Sequence, residues 1–191
     1  MTICYYVDNS NIFHEGQRYA KQTAGESRSD FRIYFPNFVS LCLKGRKPSE
    51  VVWGGSIPPP DDSVWTYLRE ELGIKPELLE RTASGEQETV DHLIQLRMHR
   101  HVRKYRQTPG TIILATGDGK GYDQEDGFLY DVEGFVADGW KIELLSWEHS
   151  CNRRLRTFAE RHGQFVPLDK YYNQISFIRN GRVVRPLRMD A

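Results

Sequence analysis

The 191-residue sequence has few cysteines, and none of them has a partner at the spacing of a metal motif. Cys4, Cys42 and Cys151 are odd in number and include no C-x-x-C pair. This argues against a structural zinc site. It favours a protein that is kept reduced inside the cell, in the cytoplasm or alternatively in the nucleus.

Long apolar runs and net charge are also missing. No stretch reaches the ~20 apolar residues that a membrane-spanning helix needs, and the N-terminus lacks a signal-peptide pattern, so we expect no membrane contact. The 26 Lys and Arg residues balance the 26 Asp and Glu residues. No overall electrostatic field therefore draws the chain onto nucleic acid, and only local clusters of basic residues favour such binding.

What the sequence does contain is an alternation of short apolar, β-branched runs with amphipathic segments. This pattern predicts an α/β fold with a mainly parallel sheet of about five strands flanked by helices. No internal repeat or interdomain linker interrupts it, and a chain of this length most simply forms one domain.

Acidic residues follow two of the predicted strands. The apolar run of residues 3–7 is followed by Asp8, Asn9, Ser10 and Asn11. The run of residues 111–116 is followed by Gly117-Asp118-Gly119. The carboxyl ends of parallel strands are where ligands collect. The simpler alternative is that the amides only cap a helix and that Asp8 favours its dipole.

A third acid, Asp91, lies at the start of a predicted amphipathic helix. The apolar residues of this helix recur at four-residue spacing, at Val90, Ile94, Met98 and Val102. Acids from two strand ends and one helix start could converge. Because uncompensated carboxylates repel one another, such a cluster would call for a divalent cation.

These segments, in this order, resemble the NYN domain, a family of PIN-like nucleases. The resemblance rests on Asp8-Asn9-Ser10-Asn11 after a strand, then on Glu88-Thr89-Val90-Asp91, and then on Thr116-Gly117-Asp118. It covers residues 1–170, and residues 171–191 would be an extension of the same domain. The resemblance implies a three-layer PIN-like fold and a metal-dependent, endonucleolytic ribonuclease that hydrolyses RNA. Asp8, Asp91 and Asp118 would be catalytic acids that bind Mg²⁺ or Mn²⁺, and Asn11 would orient the first acid or the substrate.

The sequence departs from this family at one position. Many members carry a further acid two residues after the position of Asp118, where this chain has Lys120. We expect Asp126, at the start of a predicted helix over 127–138, to be the fourth catalytic and metal-binding acid, with Asp123 as its competitor. Alternatively, Asp126 only caps that helix. Lys120 either binds a substrate phosphate or replaces the lost charge and leaves a weak or inactive enzyme.

Two clusters of basic residues are the expected RNA contacts. Arg97 and Arg100 belong to the second half of the helix predicted over 86–106, and Arg153 and Arg154 belong to a later basic helix. Both pairs could follow a phosphate backbone. The alternative for the first pair is cations near a helix C-terminus, where the helix dipole favours them.

The C-terminal residues predict a β-hairpin. Asn180-Gly181 lies between two β-rich runs, 174–179 and 182–185. Such a hairpin could cover a sheet edge, contact RNA, or join a second protomer or another protein partner. The sequence leaves these alternatives open.

The expected function is therefore a metal-dependent ribonuclease. The first alternative is a non-catalytic RNA-binding or adaptor domain with a degenerate site, which Lys120 would favour. A phosphatase of the haloacid dehalogenase type ranks well behind, because that class needs a second acid where this chain has Ser10.

Overall fold

The structure, a computed structural model, describes residues 1–57, 63–80, 87–119 and 126–189. Within these ranges no helix is both long enough and apolar enough to cross a membrane. In chain order, the elements of the first half are β1 (Ile3–Asp8), α1 (Asn9–Gln22), β2 (Phe31–Ile33), α2 (Phe35–Leu43), β3 (Glu50–Ile57), α3 (Ser63–Glu71), β4 (Glu77–Glu80) and α4 (Gln87–Lys104). Those of the second half are β5 (Thr111–Ala115), α5 (Gly127–Ala137), β6 (Lys141–Ser146), α6 (Arg153–His162), β7 (Gly163–Pro167), a 3₁₀-helix (Leu168–Tyr171), α7 (Tyr172–Ile175) and β8 (Ser176–Ile178).

Six strands form one parallel sheet in the order β4-β3-β1-β5-β6-β7. This confirms the predicted α/β class, with one strand more than the five or so expected. From β1 the chain moves outward through β3 to β4, and it then returns to the opposite side of β1 to form β5, β6 and β7. Such a reversal opens a crevice at the carboxyl ends of the two central strands, where α/β proteins bind ligands. Val7 lies opposite Ala115 at this edge, so the residues after β1 and β5 leave the sheet side by side.

Helices cover both faces of the sheet. Alternate residues of β1 face different cores: Tyr5 and Val7 pack with α1, α2 and α3, whereas Cys4 and Tyr6 pack with α4, α5 and α6. All six residues of β1 are buried. Burial of each large apolar side chain contributes roughly 1.5–3 kcal/mol. The end of β1, where Asp8 lies, is therefore firmly held by the core.

Helix α4 packs closely on the sheet. Its predicted apolar stripe, Val90, Ile94, Met98 and Val102, is buried. A Cβ at Gly54 in β3 would lie 2.9 Å from Ile94 Cδ1 and 3.0 Å from Val90 Cγ1, so only glycine allows this approach. The close packing brings the N-terminal turns of α4 to the carboxyl edge of the sheet.

The C-terminal strand exists, but its partner differs from the predicted hairpin. β8 pairs antiparallel with β2, with Ile178 opposite Phe31, and residues 182–189 are not in a strand. Asn180 has a φ of 54°, which forms the turn, and Ile178 N–H then donates to Arg182 O at 2.9 Å. The guanidinium of Arg182 donates to Glu26 and also to the carbonyl and hydroxyl oxygens of Ser176, so it holds the turn against the start of β8. A contact of this C-terminal segment with a second protomer or another protein stays a prediction.

The three cysteines are free thiols. Burial raises the pKa of Cys4 and of Cys151 to about 11, and it raises the pKa of Cys42 to about 12. Thiols with such pKa values stay protonated at neutral pH and are poor nucleophiles and poor metal ligands. Their environment suits packing and argues against cysteine-based catalysis.

Candidate active site

Asp8 lies in the crevice between β1 and β5 and is only 3% exposed. Its Oδ1 accepts a hydrogen bond from Asn11 N–H at 3.0 Å, so Asp8 is the N-cap of α1. Its Oδ2 accepts a hydrogen bond from the Thr116 hydroxyl, which follows β5, at 3.1 Å. The capping alternative thus describes one oxygen of Asp8, while the second oxygen is directed across the crevice.

Two further acids approach Asp8. Asp91 forms a side-chain hydrogen bond with it, and the negative charge of Asp118 acts on it. Burial is the largest influence on the pKa of Asp8, and the charge of Asp118 adds to it. The hydrogen bonds from Asn11 and Thr116 lower the pKa, but the net result is a pKa raised to about 6. Asp91 and Asp118 therefore both lie close enough to Asp8 to affect its ionisation.

The loop that carries Asp118 is fixed between α1 and α6. Asn11 Oδ1 accepts a hydrogen bond from Gly117 N–H at 2.8 Å, and Asn152 N–H donates to Gly117 O at 2.9 Å. A Cβ at Gly117 would lie 2.7 Å from Ser146 Oγ, so a larger residue does not fit without movement. Asn11 thus positions both Asp8, through its backbone, and the loop of Asp118, through its side chain.

Two positioning residues were missed by the sequence analysis. The fully buried Thr116 donates to Asp8, and its Oγ1 accepts from Asp118 N–H at 3.2 Å, so one hydroxyl bridges two acids. Asn152 is the N-cap of α6, and its Nδ2 donates to Gly119 O at 3.4 Å. The sequence signals that could have identified them are a polar residue at the end of an apolar run, for Thr116, and an N-cap residue before a basic helix, for Asn152.

Asp126 is held by different partners. It is the N-cap of α5, and its Oδ1 accepts from Gly127 N–H at 2.7 Å and from Gln95 Nε2 at 3.1 Å. Its Oδ2 lies 3.2 Å from His92 Nε2. These bonds, led by that from Gly127, hold the pKa of Asp126 below its usual value. Asp126 therefore lies beside the turn of α4 that carries Asp91, but its carboxylate is engaged by α4 and α5. Lys120 and Asp123 lie outside the described residues.

The four predicted RNA-binding arginines have different environments. Arg97 is ion-paired with Glu77 of β4, with Nη2 2.8 Å from Oε2, so its charge is already balanced. Arg100 is exposed but lies nine residues along α4 from Asp91, about 13 Å by helix rise. Arg153 and Arg154 are exposed in the first turn of α6, directly after the residue that holds the Gly117–Gly119 loop. The α6 pair is thus the one placed beside the acids, and Arg97 is the weakest candidate.

An open cavity of about 500 Å³ gives access to Asp118 on the β5 side. Asp118, Asn11 and Gly117 form one end of it, and Glu15 and Arg18 of α1 continue the wall. Glu15 Oε1 accepts a hydrogen bond from Arg18 Nη1 at 2.8 Å, and Glu15 Oε2 lies 3.4 Å from His149 Nε2. A polyanion can therefore approach Asp118 along a wall on which the charge of Glu15 is balanced by Arg18.

The chemistry of the donors fits a hard cation. The carboxyl groups of Asp8, Asp91 and Asp118 are oxygen donors of the kind that Mg²⁺ and Mn²⁺ prefer. Across the described residues, no group of three or more His, Cys, Asp or Glu side chains is arranged around a common point for a metal ion. Asp8 would have to be deprotonated to bind such an ion, and its pKa of about 6 permits this at neutral pH.

No protein-family model and no curated protein matches the sequence. Among solved structures, the chain is similar to a protein of unknown function from Vibrio parahaemolyticus RIMD 2210633. The match has a TM-score of 0.61 and 15% sequence identity, and it covers 88% of this chain and 93% of that chain. At this identity the likeness shows the fold alone.

Proposed function

We propose that the protein is a metal-dependent ribonuclease of the NYN type that cleaves phosphodiester bonds within RNA. Asp8, Asp91 and Asp118 would hold Mg²⁺ or Mn²⁺. The observation that carries this proposal is the buried Asp8 at the reversal point of the sheet, on which Asp91 and Asp118 both act and whose pKa is raised to about 6. A buried acid with a raised pKa in a ligand crevice is typical of catalytic sites.

The side chains around the acids have distinct roles in this proposal. Thr116 and Asn11 fix the orientation of Asp8 and of the Asp118 loop. Arg153 and Arg154 would bind backbone phosphates of the RNA. When bound, the divalent cation would activate a water molecule and offset charge on the leaving oxygen. Asp126 ties α5 to α4 next to Asp91, and its role as a fourth ligand stays a prediction.

A second candidate is a non-catalytic RNA-binding domain. Lys120 favours it, because it stands where many members of the NYN family carry a further acid. This domain would use the same basic residues of α6 and would leave RNA intact.

The three free cysteines support a reducing location for either function. We propose the cytoplasm, with the nucleus as the alternative.

A cleavage assay with purified protein separates these candidates. We expect a mixed RNA pool to be cut internally in the presence of Mn²⁺ or Mg²⁺ and to stay intact in a chelator. The size distribution of the products, read on a denaturing gel, distinguishes internal cleavage from trimming of the ends. RNA that is bound but uncut at every divalent concentration would support the binding domain instead.

The salt dependence of RNA affinity tests the basic residues. Replacing both Arg153 and Arg154 by Gln should weaken binding and reduce the slope of log K against log salt by about 1.4, since each phosphate contact to a single strand contributes about 0.7. The matched control is Arg97→Gln, which should leave the slope unchanged because Glu77 already neutralises Arg97. An unchanged slope in the double variant would return both residues to an ordinary solvated helix face.

A further inference from the structure

A second cavity, of about 240 Å³, lies on the other side of Asp8. Its walls come from the first turns of α1, from β2 and the start of α2, from the end of β3 and from the start of α3. Most of the lining is apolar and much of it is aromatic: Phe13, Ile33, Phe35, Val64 and Trp65. We call this cavity the aromatic pocket.

The position of the aromatic pocket follows from the sheet order. Asn9 and Ser10, the two residues after Asp8, line it together with Ser56 of β3. Asn11 lines the cavity that contains Asp118, on the β5 side. Because β3 and β5 are the two neighbours of β1, the two cavities flank Asp8 along the sheet edge. An RNA strand with a phosphate at Asp8 would therefore have its neighbouring nucleoside close to the aromatic pocket.

The charge of the pocket rim favours an anionic occupant. Arg32 and Arg179 line it, and among the described residues at its wall none is acidic. Arg32 Nη1 donates to the carbonyl oxygens of Ser29 and Phe31, which fixes its direction. Arg179 directly follows β8 and is exposed, and its N–H donates to Asp30 O at 2.9 Å. The pairing of β2 with β8 thus delivers two arginines, far apart in sequence, to one rim.

The size and chemistry of the pocket suit one planar ring system. The cavity is smaller than the roughly 300–1,000 Å³ sites that hold drug-sized ligands. Proteins recognise unpaired bases by stacking them on aromatic side chains and by hydrogen bonds to the edges of the bases. Phe13 and Trp65 offer aromatic surface, while Asn9, Ser10 and Ser56 offer amide and hydroxyl groups.

We propose that the aromatic pocket binds one nucleobase of an RNA strand next to the phosphate at Asp8, while Arg32 and Arg179 contact the flanking phosphates. This inference rests on the proposed function for the identity of the ligand as RNA. A base that enters the pocket has left its helical stack, so the strand is unpaired at that position.

Binding measured in a chelator tests the pocket without requiring cleavage. With a short, labelled, single-stranded RNA, Phe13→Leu should weaken binding by up to about 5- to 160-fold, the range found when a stacking ring is removed. Tyr130→Leu, at an exposed aromatic residue on α5, is the matched control and should leave affinity unchanged. Because Phe13 also contacts Phe31, with ring centroids 6.0 Å apart, thermal unfolding of the variant is compared with that of the wild type.

A second arm leaves the protein intact and changes the RNA. One abasic nucleotide, moved along the strand, should weaken binding to the wild type at a single position and cause no further loss with Phe13→Leu. If cleavage occurs but neither Phe13→Leu nor any abasic position changes affinity, the pocket proposal is wrong and the nuclease proposal stands. If affinity depends on Phe13 and on one base while RNA stays uncut with every divalent cation, the nuclease proposal fails and the pocket stands.

Discussion

Asp8→Asn should reduce RNA cleavage about 1,000-fold, because loss of a first ligand removes several kcal/mol of transition-state stabilisation. The same variant should keep its fold. An Asn oxygen can still accept from Asn11 N–H, and the Asn amide can donate to Thr116, whose hydroxyl can reverse its role. Initial rates at saturating Mn²⁺ measure the first effect. Asp138→Asn, at an exposed acid after α5, is the matched control and should cleave like the wild type.

The raised pKa of Asp8 also predicts how the stability of the wild type differs from that of this variant as pH changes. The pKa of Asp8 is about 6 in the folded chain and has the ordinary value of 3.8 when unfolded, so the folded state binds more protons between these values. The contribution of Asp8 to the free energy of unfolding, read as the difference between wild type and Asp8→Asn, should therefore fall as pH rises from about 4 to about 6, by at most roughly 3 kcal/mol. Asp8→Asn removes this loss and should be at least as stable as the wild type at neutral pH.

Urea unfolding across this pH range provides the measurement. Mn²⁺ should raise the stability of the wild type at neutral pH, because it binds the folded state, and should have little effect on the variant. An Asp8→Asn protein that is less stable than the wild type at neutral pH would show that the carboxylate has a structural role. Equal stabilisation of both proteins by Mn²⁺ would place the metal elsewhere.

Much of the sheet could be predicted because its strands are continuous apolar runs. Residues 3–7 and 111–116 are such runs, and their burial on both faces leaves little local ambiguity. The helix α4 was predicted from the four-residue spacing of its buried stripe. β2 was missed because Phe31–Ile33 is short and pairs only with β8, near the far end of the chain. The pairing that replaced the predicted hairpin is likewise set by long-range contacts.

The candidate site was predictable only in part. Acids at strand ends identify positions of interest, but the sequence does not give the strand order that makes β1 and β5 neighbours. The contacts of Asn152 with the loop after β5 and of Arg97 with Glu77 both join distant segments. They became visible only when the sheet was assembled. The aromatic pocket also depends on the pairing of β2 with β8, which local pattern did not show.

Thr116→Val should lower the cleavage rate about 10- to 100-fold, the range expected when an outer partner of a metal ligand is lost. Valine has nearly the same shape and suits the end of a buried strand, so the fold should change little. The Thr116 hydroxyl bond lowers the pKa of Asp8, and its removal raises that pKa further. The acid limb of the pH–rate profile should therefore move to higher pH, and extra Mn²⁺ should restore part of the rate.

Thr116→Ser separates this positioning role from a purely structural one. Serine keeps the hydroxyl that bridges Asp8 and Asp118 N–H, so this variant should retain the pH profile of the wild type and most of its rate. A packing role would give the opposite order, because serine lacks the methyl group that valine keeps. A Thr116→Val enzyme with a normal rate and an unshifted profile would mean that the hydroxyl does not tune Asp8. The catalytic proposal would then depend on the three acids alone.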